Sequence, residues 1–187
     1  MNEILIEKIC HIILNSRGDA RQYGCEQQLC GTCGTIIRDK VSKFVNNNKM
    51  ITFILPAFPA KSANRNKTFG ELPDYGEELA LKNLNDIMVK INCIYRPGAK
   101  IIICSDGTVF SDLVGVKDRD VALYYYEILN IMENLTLTNI ELFCLEDLWK
   151  GVSCSMQRDN LVKHFATPIG KIRSDIQNNI DEKNMFN

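Results

Sequence analysis

The stretch Ala99-Lys100-Ile101-Ile102-Ile103-Cys104-Ser105-Asp106-Gly107 decides the fold. It is short, apolar and rich in β-branched residues, it enters after Arg96-Pro97-Gly98, and it runs out into a polar turn. A strand buried in a parallel sheet reads this way. Residues 50–57 and 139–145 have the same character. Between the first and second strands Ala80, Leu84, Ile87, Met88, Ile91 and Ile94 recur at helical spacing. Between the second and third, Asp118 is expected to act as an N-cap, and Val121, Tyr125, Ile128, Leu129 and Met132 form one helical face. Strand, helix, strand, helix, strand predicts an α/β protein: a Rossmann-like, doubly wound, mainly parallel sheet covered on both sides by flanking helices.

Working outward, an amphipathic helix with Leu5, Ile9, Ile12 and Ile13 opens the chain, and a second helix is expected over residues 36–45. Beyond the third strand come polar helical patterns and a soft tail over residues 178–187. With 187 residues, 45% of them hydrophobic, the chain suits one core. The expected layout is a single α/β domain: a helical lead-in over 1–48, the sheet over 49–150 and a helical tail over 151–187.

The net charge of −1 offers no general attraction to nucleic acid or to an anionic membrane, so any anion site must be local. Glu3, Glu7 and Lys8 interrupt the apolar amino terminus, which argues against a leader or spanning segment and toward a cytoplasmic protein. Eight cysteines scattered through apolar elements suit a reducing compartment and free thiols. Cys25, Cys30 and Cys33 have the first two spacings of a plant-type iron–sulfur loop. The next cysteine, Cys93, falls in a helical pattern beyond the first strand, so a fourth ligand is lacking for iron–sulfur or zinc, and no metal site is assigned.

Ligands of open α/β sheets bind outside the carboxyl ends of the strands. After the first strand, Pro56-Ala57-Phe58-Pro59-Ala60-Lys61-Ser62-Ala63-Asn64-Arg65-Asn66-Lys67 concentrates three cations with several neutral hydrogen-bonding groups. Lys61, Arg65 and Lys67 suit a phosphate or carboxylate, and Ser62, Asn64 and Asn66 can add donors; the plain alternative is a solvated basic loop. After the second strand, Ser105-Asp106-Gly107-Thr108 presents a carboxylate that burial and neighbouring charge could tune for proton transfer, with Asp112 six residues on. The alternatives are an Asp-Gly turn at Asp106 and a helix or turn cap at Asp112. The same stretch approaches the Asp-x-Asp-Gly-Thr motif of haloacid-dehalogenase-type phosphatases, but Cys104 stands where the nucleophilic aspartate would be. That excludes an aspartyl-phosphate route.

The run Leu55-Pro-Ala-Phe-Pro-Ala-Lys-Ser62, followed by Asn64-Arg65, Lys67, Gly70 and Leu72-Pro-Asp-Tyr-Gly-Glu77, resembles the signature of the isocyanide (isonitrile) synthases. That family includes bacterial enzymes of isonitrile and pyoverdine-cluster pathways and the fungal dityrosine spore-wall protein. Tyr95-Arg-Pro-Gly-Ala-Lys100, Ser105-Asp-Gly-Thr-Val-Phe110, Asp112-Leu113 and Gly115-Val116 extend the likeness over residues 51–149. The resemblance implies condensation of the α-amine of an aromatic amino acid, tryptophan or tyrosine, with the ketone of ribulose 5-phosphate, whose carbonyl carbon becomes the isonitrile carbon. It implies no metal or redox cofactor. On this reading Lys61 and Asp106 transfer protons, Ser62 and Asn64 orient the sugar, Arg65 and Lys67 lie near the phosphate, and Ser105 and Asp112 also contact substrate. Family members run to roughly twice this length, on the usual scale of domains. The likeness therefore covers the family's amino-terminal half, and self-association or a second polypeptide is expected to complete the fold. The competing expectation is a non-catalytic sugar-phosphate-binding or partner-completing module.

Overall fold

A computed structural model describes residues 2–16, 33–64 and 66–178. Two helices, α1 (Asn2–Asn15) and α2 (Cys33–Asn46), lead into β1 (Ile51–Pro56). The chain continues through α3 (Tyr75–Asn92), β2 (Ala99–Ser105), α4 (Asp118–Asn134) and β3 (Ile140–Cys144). A 3-10 helix, η1 (Leu145–Trp149), and the helices α5 (Cys154–Phe165) and α6 (Ile169–Asn178) follow.

The strands form a parallel sheet in the order β1-β2-β3, with Phe53, Ile101 and Ile140 in one register row and Leu55, Ile103 and Leu142 in the next. Strand side chains alternate between faces. The face carrying Ile51, Ala99, Ile101, Ile103 and Ile140 joins Ile6 and Ile9 of α1, Val41 and Val45 of α2, Leu81, Met88 and Ile91 of α3, and Tyr124 and Ile128 of α4 in one core. Right-handed crossovers between strands added in sequence put both connecting helices on the same side of a sheet. The opposite face presents Ile54, which is 61% exposed, beside the half-buried Ile102, Cys104 and Phe143 and the Lys100–Glu141 ion pair at 2.7 Å.

Both edges of the core are tied by specific polar contacts. Tyr95, buried after α3, donates its hydroxyl to the carbonyls of Lys49 at 2.7 Å and Phe44 at 3.2 Å, fixing the turn between α2 and β1. Asn92 accepts from the Ala99 amide at 2.5 Å and donates to Asn139 at 2.8 Å, so one side chain pins the amino ends of β2 and β3.

Two local expectations change. Asp118 is the first residue of α4 rather than its cap; Lys117 holds the cap position without a side-chain bond, and the Asp118 carboxylate accepts from the Ser111 hydroxyl. The buried stripe of α4 is Val121, Tyr124 and Ile128, so Tyr124, not Tyr125, faces the core. Cys25 and Cys30 lie outside the described residues, as does the side chain of Cys33; among the described residues, Cys10, Cys93, Cys104, Cys144 and Cys154 are free thiols. No helix among the described residues is long and apolar enough to cross a membrane.

Candidate active-site cleft

The two loops singled out in the sequence meet because β1 and β2 are adjacent and parallel, so both carboxyl ends open on one edge. Beyond β1, Phe58 adopts φ 56°, a left-handed conformation rare for a bulky residue, and Pro59 stiffens the turn toward Lys61. Beyond β2, Gly107 takes φ 57° and Val109 donates its amide to the Asp106 carbonyl, closing the Asp-Gly turn.

A cleft of about 290 Å³ lies between the loops. Pro59, Ala60, Lys61, Ser62 and Ala63 form one wall, while Asp106, Gly107, Phe110, Ser111, Val114 and Val116 form the other. Asp106 is exposed at its mouth. A smaller recess of about 160 Å³ continues past Lys61 and Ser62 to Glu71, Lys117 and Asp120.

Lys61 is the most constrained polar group in this region. Its ammonium donates to Glu77 Oε1 at 2.6 Å and Oε2 at 2.7 Å, and to Asp74 Oδ2 at 2.9 Å. Burial works to lower the Lys61 pKa, but the bonds from Glu77 and Asp74 outweigh it and hold the group above its ordinary value. Lys61 is therefore charged at neutral pH, able to donate a proton or polarise a carbonyl and unsuited to act as a free base. Asp74 is pulled the other way: the Lys61 ammonium, then the Gly76 amide, hold its carboxyl below the usual range.

Ser62 lines both the cleft and the recess. Asn64 organises its own loop, since its Oδ1 accepts from the Asn66 amide at 3.0 Å and its amide donates to Ser62 Oγ at 3.2 Å. Lys67 is exposed on the same loop, outside the two cavity linings. Arg65 lies outside the described residues.

Two expected site residues are not among those lining the cleft. Ser105 is buried, and its hydroxyl accepts from the Gly107 amide at 3.2 Å, so it braces the turn that presents Asp106. Asp112 is ion-paired to Arg158 of α5, which depresses its pKa, and it also accepts from the Leu113 amide at 3.0 Å.

Sequence reading passed over three contributors to the cleft. Asp74 and Glu77 form a capping box at the start of α3: Asp74 accepts from the Gly76 amide at 2.7 Å, and Glu77 accepts from the Asp74 amide at 2.9 Å. The signal was present as Asp-x-x-Glu after Pro73. Apolar spacing marks the helix only from Ala80 onward, which hides a cap six residues upstream. The third contributor is Tyr124, whose buried hydroxyl donates to Glu77 Oε1 at 3.3 Å. Burial, followed by the Glu77 charge, raises the Tyr124 pKa, so the phenol keeps its proton. An apolar-face reading of α4 gives no reason to select it.

Comparison with known proteins gives a consistent result. The family described as "Pyoverdine/dityrosine biosynthesis protein" matches residues 41–187. An L-tryptophan isonitrile synthase of Fischerella ambigua is 41% identical over 187 residues, which is 100% of this chain and 57% of the relative. An L-tyrosine isonitrile synthase of Pseudomonas aeruginosa is 38% identical over 141 residues, 72% of this chain and 42% of the relative. The crystal structure of PvcA from Pseudomonas aeruginosa superimposes with a TM-score of 0.83 at 31% identity, covering 95% of this chain and 59% of that one. The chain thus spans a little over half the length of the Fischerella relative and of PvcA.

Proposed function

The chain belongs to the pyoverdine/dityrosine biosynthesis protein family, and from that premise we propose that it serves isonitrile formation, condensing an aromatic amino acid, tryptophan or tyrosine, with ribulose 5-phosphate in the cytoplasm. The observation that carries the reading is a cleft in which Lys61 and Asp106 stand on facing walls at the carboxyl ends of β1 and β2. The relatives' activities, named for tryptophan and tyrosine, support the choice of amino acids.

In the proposed reaction the amino-acid amine adds to the sugar ketone, and water leaves to give an imine. Lys61, held as a cation, polarises the ketone oxygen and supplies its proton. Asp106, exposed across the cleft, takes protons from the amine and, later, from carbon as the adduct fragments. Ser62 and Asn64 orient the sugar hydroxyls, and Arg65 and Lys67 on the same loop meet the phosphate. Ser105 and Asp112 serve indirectly, by bracing the turn after β2 and by tying its continuation to α5.

The test is mass spectrometry of the purified chain incubated with ribulose 5-phosphate and tryptophan or tyrosine. An isonitrile that disappears in Asp106→Asn is expected; an Asp106→Asn variant as productive as the parent would refute the assignment. A second reading, a module completed by a copy of itself or another polypeptide, is favoured by the sheet face that, among the described residues, leaves Ile54 61% exposed and Ile102 and Phe143 only half-buried. The absence of product from the chain alone, with sugar-phosphate binding retained, would select it.

A further inference from the structure

We propose that Glu77, braced by Tyr124 and by the cap of α3, is a positioning residue that fixes the Lys61 ammonium in the wall of the cleft. The inference rests on the proposed reaction only for the purpose it gives Lys61; the clamp itself is geometric. A lysine on a four-carbon stem samples many positions unless something holds its end. Here both oxygens of Glu77 engage the ammonium at nearly equal distances, 2.6 and 2.7 Å, and both partners' side chains are only 13% exposed. The carboxylate is held in turn from two directions: Oε2 accepts from the Asp74 amide at 2.9 Å and Oε1 from the Tyr124 hydroxyl at 3.3 Å. Rotating it away from Lys61 would break the cap of α3 and strand a buried phenol of α4. Asp74 adds a third contact but is 53% exposed, where an ion pair is screened by water. Glu77 is therefore the dominant partner. Among the described residues, Asp106 across the cleft, and Glu71, Lys117 and Asp120 around the recess, also face this region.

One chemical consequence is that Lys61 does not serve as a free amine nucleophile. Clamped by a carboxylate pair, it remains a fixed cation that can donate a hydrogen bond or a proton to a substrate oxygen.

The test is competitive acetylation of the whole chain with acetic anhydride at about pH 8, read lysine by lysine by peptide mass spectrometry. Glu77→Gln removes the charge yet can still accept from the Asp74 amide, since glutamine also completes a capping box. Glu78→Gln is the control, because Glu78 pairs with Lys82 at 2.6 Å and not with Lys61. In Glu77→Gln, Lys61 acetylation should rise several-fold, because losing the carboxylate's charge frees the ammonium and increases the fraction of free amine. It should stay unchanged in Glu78→Gln. Glu77→Asp, which keeps the charge but withdraws it by one methylene, should give an intermediate rise; it supplies the answer if the glutamine variant loses its helical circular dichroism. Equal Lys61 labelling in parent and both Glu77 variants, or an equal rise in Glu78→Gln, would overturn the proposal. Because labelling needs no turnover, a chain that makes no isonitrile by itself but shows the expected labelling would count against turnover by the chain alone and leave the clamp intact.

Discussion

Replacing Gly107 by alanine tests whether the turn that presents Asp106 is built as described. A Cβ at this position would lie 2.3 Å from Glu146 Oε1, 2.9 Å from its Cγ and 3.0 Å from its Cδ. All three atoms belong to one flexible side chain, so Glu146 would swing aside rather than distort the backbone. Swinging aside costs the bond that Glu146 Oε1 accepts from the Thr108 amide at 2.8 Å. A hydrogen bond to a charged group is worth roughly 1.5 to 3 kcal/mol. The left-handed backbone, φ 57°, adds about 1 kcal/mol for any residue with a Cβ. Gly107→Ala should therefore cost about 2.5 to 4 kcal/mol by urea unfolding, as the sum of these two terms. In a Glu146→Ala background only the backbone term remains, so the same substitution should cost about 1 kcal/mol. A coupling below about 0.5 kcal/mol in this double-mutant cycle would mean that Glu146 does not occupy the space above Gly107, and the account of the turn would fail.

Other perturbations follow from the same geometry. Tyr95→Phe should cost about 1 to 2 kcal/mol in chemical denaturation, because it removes a hydroxyl that donates to the Lys49 and Phe44 carbonyls. The Asp112–Arg158 pair should contribute a small stability that is complete above the ordinary aspartate value of 3.8 and lost as pH falls through the depressed one. Arg158→Ala should erase that acid-side difference, and high salt should mimic it in thermal melts. Lys67→Ala should weaken ribulose 5-phosphate binding about tenfold in calorimetry, the effect of one exposed charge-assisted contact at the low end of its range; unchanged binding would move the phosphate elsewhere on the loop.

The sequence alone determined the sheet. The apolar runs ending at Pro56, Ser105 and Cys144 become its three parallel strands, because a strand buried in a sheet must be apolar along its length and must end where the chain turns polar. The family signature is also local, lying mostly in the loops that follow β1 and β2, with further blocks at the start of α3 and the entry to β2. The structure decided what those loops do with their charges. Lys61 looks from the sequence like one of three loop cations, yet α3 brings Glu77 and Asp74 to it from 16 and 13 residues away, and α4 adds Tyr124. Ser105 and Asp112 look like part of the same cluster as Asp106, but strand alternation turns Ser105 inward and α5 draws Asp112 to Arg158. The open sheet face likewise depends on strand order and crossover hand, which no single segment encodes. Periodicity reports which residues are buried; which partner a charge finds depends on helices returning across the sheet, and that is settled only when the chain packs.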